Sequence, residues 1–179
     1  VYVCYFRLYN ITLFQVALLA VVFEATIILF ELPTGILADK YGRKLSTSIG
    51  FCLLAVSGII FFSMKSFFGF LVAEIVFGLA ETFISGALEA LTVDSLAPEK
   101  RDLLLPRLFA NRTVYKTVAL LVGMIFAGVL GQFFLKFLFL PVIFVAIIGF
   151  VLTLFLIDVR NYESSNINLE IKAEKPSLP

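Results

Sequence analysis

Leu13-Phe14-Gln15-Val16-Ala17-Leu18-Leu19-Ala20-Val21-Val22-Phe23-Glu24-Ala25-Thr26-Ile27-Ile28-Leu29-Phe30-Glu31-Leu32-Pro33-Thr34-Gly35-Ile36-Leu37 contains only two formally charged residues, Glu24 and Glu31. About 20 predominantly apolar residues suffice for an α-helix to cross a hydrocarbon layer of ~30 Å, so this stretch is long enough to span a bilayer. Four more segments have similar length and character: 45–64, 67–88, 114–134 and 137–157. Val1–Phe6 is too short to span and reads as the end of a helix whose start lies upstream. That makes six helices, the first a remnant. The near-continuous Leu, Ile and Phe runs lack the alternation of short barrel strands, so the spans are helical.

Composition points the same way. Hydrophobic residues make up 61% of the 179 positions and charged residues 15%, against roughly 45–50% and ~25% in soluble domains. Mean hydropathy is +1.05, and 21 phenylalanines accompany a complete lack of Trp and His. One buried core with a solvated shell cannot absorb so much apolar material. A net charge of +1, with Lys and Arg in short patches between apolar runs, provides no basic field for nucleic acid. Cys4 and Cys52 lie in apolar surroundings without metal-site spacing and read as packing residues. The fold class is therefore all-α integral membrane.

Of the 14 Lys and Arg residues, Arg7, Lys65 and Lys136 fall on one side of the expected topology. The others cluster in the 39–44 turn, in the 94–112 loop with Lys116 just beyond it, and in the 158–179 tail. The positive-inside rule places that second side in the cytoplasm, with the second helix running inward. Lys65 and Ser66 form a tight turn between the third and fourth helices.

Between the second and third helices stands Gly35-Ile36-Leu37-Ala38-Asp39-Lys40-Tyr41-Gly42-Arg43-Lys44. Gly35 allows close approach of a neighbouring helix, and Gly42 permits a sharp reversal. Asp39 suits the exposed N–H groups at the start of the following helix, and Arg43 offers a planar five-donor fork. Pro33, one turn earlier, cannot donate to the Leu29 carbonyl, which predicts a bend.

This segment resembles the signature loop of the major facilitator superfamily at Gly35, Asp39, Lys40, Gly42, Arg43 and Lys44. Glu31-Leu32-Pro33-Thr34-Gly35 and the run from Ser85 to Leu96 resemble segments of bacterial drug-efflux-like members, and the likeness extends over the whole chain. It implies a major facilitator-type N-terminal six-helix bundle over 1–157, its first helix truncated, with 158–179 beginning a central cytoplasmic linker. It further implies a missing C-terminal transmembrane half, with which the signature loop exchanges polar contacts to stabilise an outward-open state. On that likeness Asp39 and Arg43 belong to a conformational gate. Lys40 and Lys44 are expected to meet anionic headgroups or nearby carboxylates. Two departures stand out. Glu74 occupies the place, four residues before Gly78, where many members carry Arg, and Gly123, Gly128 and Gly131 occur without the proline of many antiporters.

Glu24, Glu31, Glu74 and Glu81 lie inside apolar spans. A carboxylate in hydrocarbon costs several kcal/mol, roughly, unless it is protonated, paired or facing water. Each pair is seven residues apart, so its members share one helical face and are separated by about 10.5 Å of rise. Facing pairs would line a wet cavity and make Glu74 or Glu81 a candidate proton carrier, whereas the alternative is hydrogen bonding to a neighbouring helix. Glu89 and Asp94 are expected to form a charge network with the basic turn. The three glycines of the fifth helix suit close packing, and the aromatic-rich sixth helix suits a lipid-facing support. Asn10-Ile11-Thr12 and Asn111-Arg112-Thr113 fit a glycosylation triplet, but one hugs the membrane and the other falls on the cytoplasmic side.

The resemblance thus implies one half of a secondary transporter in the cell membrane. It implies movement of a small solute, such as a drug or amphipathic compound, by alternating access, and the buried carboxylates suggest protons as the coupling ion. No cofactor or metal is implied, and without His or a phosphate-binding glycine loop no enzyme is expected. The competing reading is a non-transporting membrane structural or assembly module that oligomerises.

Overall fold

Thr12 opens the first long helix through a capping box: its Oγ1 accepts from the Gln15 N–H at 3.2 Å, and Gln15 Oε1 accepts from the Thr12 N–H at 2.9 Å. That exchange satisfies donors which a helix start otherwise leaves without partners. The computed structural model describes residues 2–94, 96 and 101–155; within its helices the side chains of 89–92, 94, 101, 102 and 130 lie outside the description. The elements are α1 (Tyr2–Arg7), α2 (Leu13–Tyr41), α3 (Arg43–Ser63), α4 (Phe67–Asp94), α5 (Arg101–Phe134), a 3-10 turn (Leu135–Phe137) and α6 (Leu140–Leu154). Among the described residues there is no strand. The tail expected as a linker, 158–179, lies outside them.

Among the described residues four helices are long and apolar enough to cross a membrane, and the pair Gly131–Phe137 and Leu140–Leu154, bent by 68°, makes a fifth span if counted as one. The architecture is an all-α membrane bundle. In hydrocarbon every backbone N–H and C=O must be satisfied internally, which drives each apolar run into a helix. Side chains such as Phe14, Val21, Ile28, Leu29 and Leu32 on α2 stay exposed. Such an apolar face calls for lipid or another helix beside it, not water.

Some helix limits differ from the sequence reading. The second helix runs through the charged residues to Tyr41 instead of ending at Leu37, and the third starts at Arg43 instead of Leu45. A 29-residue helix is about 43 Å long, more than the hydrocarbon requires, so its polar last turn can project beyond it. The charged stretch 94–112, expected as a loop, carries the helix start at Arg101. Leu103, Leu104, Leu105, Leu108 and Ala110 are strong helix formers, and Pro106 removes one hydrogen bond from a helix of 34 residues. The last helix covers Leu140–Leu154 within the expected 137–157, preceded by the 3-10 turn.

α3 packs against α4 on one side and α6 on the other, and α2 packs on α4. Between helices in lipid there is no hydrophobic drive, so close van der Waals fit holds the bundle together. At the α2–α4 crossing a Cβ on Gly78 would lie 2.9 Å from Thr26 Cβ and 3.1 Å from the Phe23 carbonyl oxygen. The fifth helix behaves otherwise. A Cβ added to Gly123 or Gly128 would meet nothing within 4 Å, and Val118, Leu121, Met124 and Ile125 are exposed, so among the described residues nothing packs closely on these two glycines. α6 packs on α3 with Ala146 and Thr153 buried, while Phe144, Val145, Ile147, Ile148, Val151 and Leu152 stay exposed.

The end of the bundle opposite Gly42 is closed by rings. Tyr5, Phe6, Phe61, Phe70 and Phe139 are all buried there. Tyr5 Oη donates to the Phe61 carbonyl at 2.8 Å and accepts from Lys65 Nζ at 2.7 Å, while Lys65 Nζ also sits 5.0 Å from the centroid of Tyr9. This ties the α3–α4 turn to the α1 segment.

Candidate functional site

Two regions bring candidate residues together. The first is the reversal between α2 and α3, made by Gly42 alone at φ 100° and ψ 142°. A residue with a Cβ is strained at that φ. The Gly42 N–H donates to the Ala38 carbonyl at 3.0 Å and its carbonyl accepts from the Ser46 N–H at 3.2 Å, so one residue closes one helix and opens the next. Asp39 therefore occupies the last turn of α2, not the start of the following helix. Its Oδ1 lies 3.6 Å from Nη2 of Arg43, with the Asp39 side chain 69% exposed and that of Arg43 20%.

Lys44 differs from expectation as well. Among the described residues its Nζ meets no carboxylate but the Leu154 carbonyl oxygen, at 2.7 Å. That oxygen belongs to the last turn of α6, where carbonyls lack intrahelical partners and carry partial negative charge. Lys40 Nζ lies 5.2 Å from the ring centroid of Tyr41. Gly35 has open space around it within this chain; it lines a groove of about 400 Å³ along α2 with Ile28, Glu31, Leu32, Ile36 and Asp39. Among the described residues no other helix makes a close approach at Gly35. Pro33 is exposed inside an unbroken α2, and beside it Thr34 Oγ1 donates to the Phe30 carbonyl at 2.8 Å.

The second region is a cavity of about 230 Å³ lined by Tyr2, Ala20, Phe23, Glu24, Phe61, Glu74, Phe77 and Phe139. Glu74 is 2% exposed, and its Oε1 accepts a hydrogen bond from the Tyr2 hydroxyl. A carboxylate withdrawn from water to this degree needs such a donor, a counter-charge or a proton. Glu24 and Glu74, from different helices, share this cavity. Glu31 lies in the α2 groove with Asp39 instead, and Glu81, half-buried on α4, lines neither space. The side chains of Glu89 and Asp94 lie outside the described residues.

Tyr2 and the Lys44–Leu154 contact had no counterpart in the sequence reading. Tyr2 belongs to a segment too short to show a helical face, and Leu154 acts through its backbone, which leaves no mark on residue type. Stacking of Phe23 on Phe77 at 5.0 Å was hidden for another reason: 21 phenylalanines offer too many equivalent partners.

Comparison with known proteins gives this geometry a setting. Residues 2–179 match the Major Facilitator Superfamily. The chain is 27% identical over 169 residues to the uncharacterized MFS-type transporter YxaM of Bacillus subtilis (strain 168), covering 92% of this chain and 41% of that protein. It is 33% identical over 88 residues to an uncharacterized transporter of Buchnera aphidicola subsp. Schizaphis graminum (strain Sg), covering 49% of this chain and 22% of that protein. The aligned region spans less than half the length of either relative. A match running from Tyr2 to Pro179, on an all-α membrane bundle and alongside relatives named as transporters rather than enzymes, means that this chain belongs to the Major Facilitator Superfamily.

Proposed function

We propose that this chain is the first membrane half of a secondary transporter that moves a small solute by alternating access. The observation that carries the reading is the Asp39–Arg43 contact folded over Gly42. A contact this exposed adds little to stability. It can be exchanged at small cost when helices move, which suits a gate. The groove holding Glu31, Gly35 and Asp39 fits a second half docking on α2, and the bias of Lys and Arg toward that end fits a cytoplasmic position in the cell membrane.

Protons are the proposed coupling ion, with Glu74 as their carrier. The groups facing it from the packed elements are Tyr2 on α1 and Glu24 on α2, while α3 and the start of α6 present Phe61 and Phe139. Outward movement of drugs or other amphipathic compounds is the proposed direction and class, in keeping with the efflux-like sequence segments.

The test is uptake and efflux by the complete protein in proteoliposomes, with and without a proton gradient, across a panel of solutes. Gradient-dependent movement of at least one solute is expected, with its pH dependence flattened in Glu74→Gln. No carrier-dependent movement of any solute would overturn the transport reading; movement indifferent to the gradient and to Glu74→Gln would overturn the coupling.

A further inference from the structure

At the 68° break before α6 lies a groove of about 520 Å³. Gly123, Ala127 and Gly131 of α5 line its length, Phe137, Leu138 and Pro141 close one end, and every other residue on its wall is also apolar. From Gly123 to Phe134 it follows α5 for about 16 Å, at ~1.5 Å of rise per residue. That is about half of a ~30 Å hydrocarbon layer, the depth of a single leaflet.

Length decides between two kinds of occupant. A membrane-spanning helix lying on α5 needs room through both leaflets, and the turn at 137–141 closes its way at one end; an acyl chain needs only the depth available. Charge supplies the second argument. Lys136 precedes Phe137 in the 3-10 turn, is exposed, and its ammonium has no hydrogen bond or ion pair among the described residues. It is the one charged residue between Lys116 and Asp158. Segments 1–12, 62–70 and 132–141, which meet at this end of the bundle, carry Arg7, Lys65 and Lys136 and no Asp or Glu. Lys65 is already held by Tyr5 and the Phe61 carbonyl, which leaves Lys136 beside the groove as a cation that suits a negative headgroup.

We propose that this groove holds one acyl chain of an anionic phospholipid, with the lipid's phosphate at Lys136. Gly123, Ala127 and Gly131 let the chain approach the α5 backbone closely, and the lipid fills the angle that the bend opens between α5 and α6. The assignment concerns binding alone and does not rest on the transport reading.

Native mass spectrometry of the full-length protein in detergent, titrated with phosphatidylglycerol or with phosphatidylcholine of the same acyl chains, tests the site. Saturable phosphatidylglycerol binding is expected, at least about fivefold tighter than phosphatidylcholine, the factor for one basic residue near an anionic headgroup. Lys136→Gln should lower phosphatidylglycerol affinity by about that factor and leave phosphatidylcholine unchanged, while Lys136→Arg keeps the preference. Gly123→Leu, placed where a Cβ meets nothing within 4 Å, fills the deep end of the groove. It should weaken both lipids by about threefold through lost contacts with the chain, with an unfolding midpoint near that of the unaltered protein. Equal affinity for the two lipids, or phosphatidylglycerol affinity indifferent to both Lys136→Gln and Gly123→Leu, overturns the proposal. So does a Gly123→Leu variant with a lowered unfolding midpoint and unchanged lipid binding, because a helix of the protein would then fill the groove.

Discussion

Asp39, in the last turn of α2, meets Arg43, the first residue of α3, at 3.6 Å across a reversal made by Gly42 alone. Because the carboxylate is largely exposed, the pair contributes about 0.2–1 kcal/mol or less. If the contact serves motion more than folding, Asp39→Asn should leave thermal unfolding in detergent nearly unchanged while lowering transport by about tenfold, a coupling loss of ordinary size for a conformational equilibrium. Equal losses of stability and transport would assign Asp39 to the fold instead.

Gly78 sets the distance between α2 and α4. A side chain there would meet Thr26 Cβ at 2.9 Å and, less forgivingly, the Phe23 backbone oxygen at 3.1 Å. Gly78→Val should cost about 1–3 kcal/mol through overpacking, and Gly123→Val, where nothing lies within 4 Å, should cost far less. Unfolding midpoints of the two variants in one detergent decide the matter: equal shifts would mean that the crossing is not close.

Fold class and family were legible in the sequence because hydrocarbon thickness and the Gly35–Lys44 spacing leave few alternatives. Interhelical partners were not. Glu24 and Glu31 share a helical face by spacing, yet Glu24 shares a cavity with Glu74 while Glu31 lines a groove with Asp39, because a neighbour's position along the helix decides what each residue meets. The charged residues near Arg101 read as loop by polarity, although intrinsic propensity favours helix there. The contact of Lys44 with Leu154 was not legible because its acceptor is a backbone carbonyl, a group common to every residue.

Tyr2 holds Glu74 by a hydroxyl that Phe lacks. Tyr2→Phe keeps the ring and removes the donor, leaving the buried carboxyl group short of a hydrogen bond at a cost of about 1–3 kcal/mol. The double variant Tyr2→Phe/Glu74→Gln should lose less than the sum of the single losses, since neither residue then depends on the other. Strict additivity in a double-mutant cycle would show that the two side chains do not interact.

Lys44 joins the reversal beside Gly42 to the far end of the chain's last described helix, through its contact with the Leu154 carbonyl oxygen at 2.7 Å. A cation in the final turn of a helix gains about 0.3–1 kcal/mol from the partial negative charge there, and a hydrogen bond adds a similar amount. Lys44→Met retains most of the apolar stem but removes both contributions, so the loss should be local. Amide exchange over the last turn of α6 should quicken by about fivefold, the factor for roughly 1 kcal/mol of local opening, with α4 unaffected. Lys44→Arg, which keeps the charge, should restore most of the protection. Unchanged exchange at Thr153 and Leu154 in the Met variant would mean that α6 ends without help from Lys44, and the reversal would then have no direct hold on that helix.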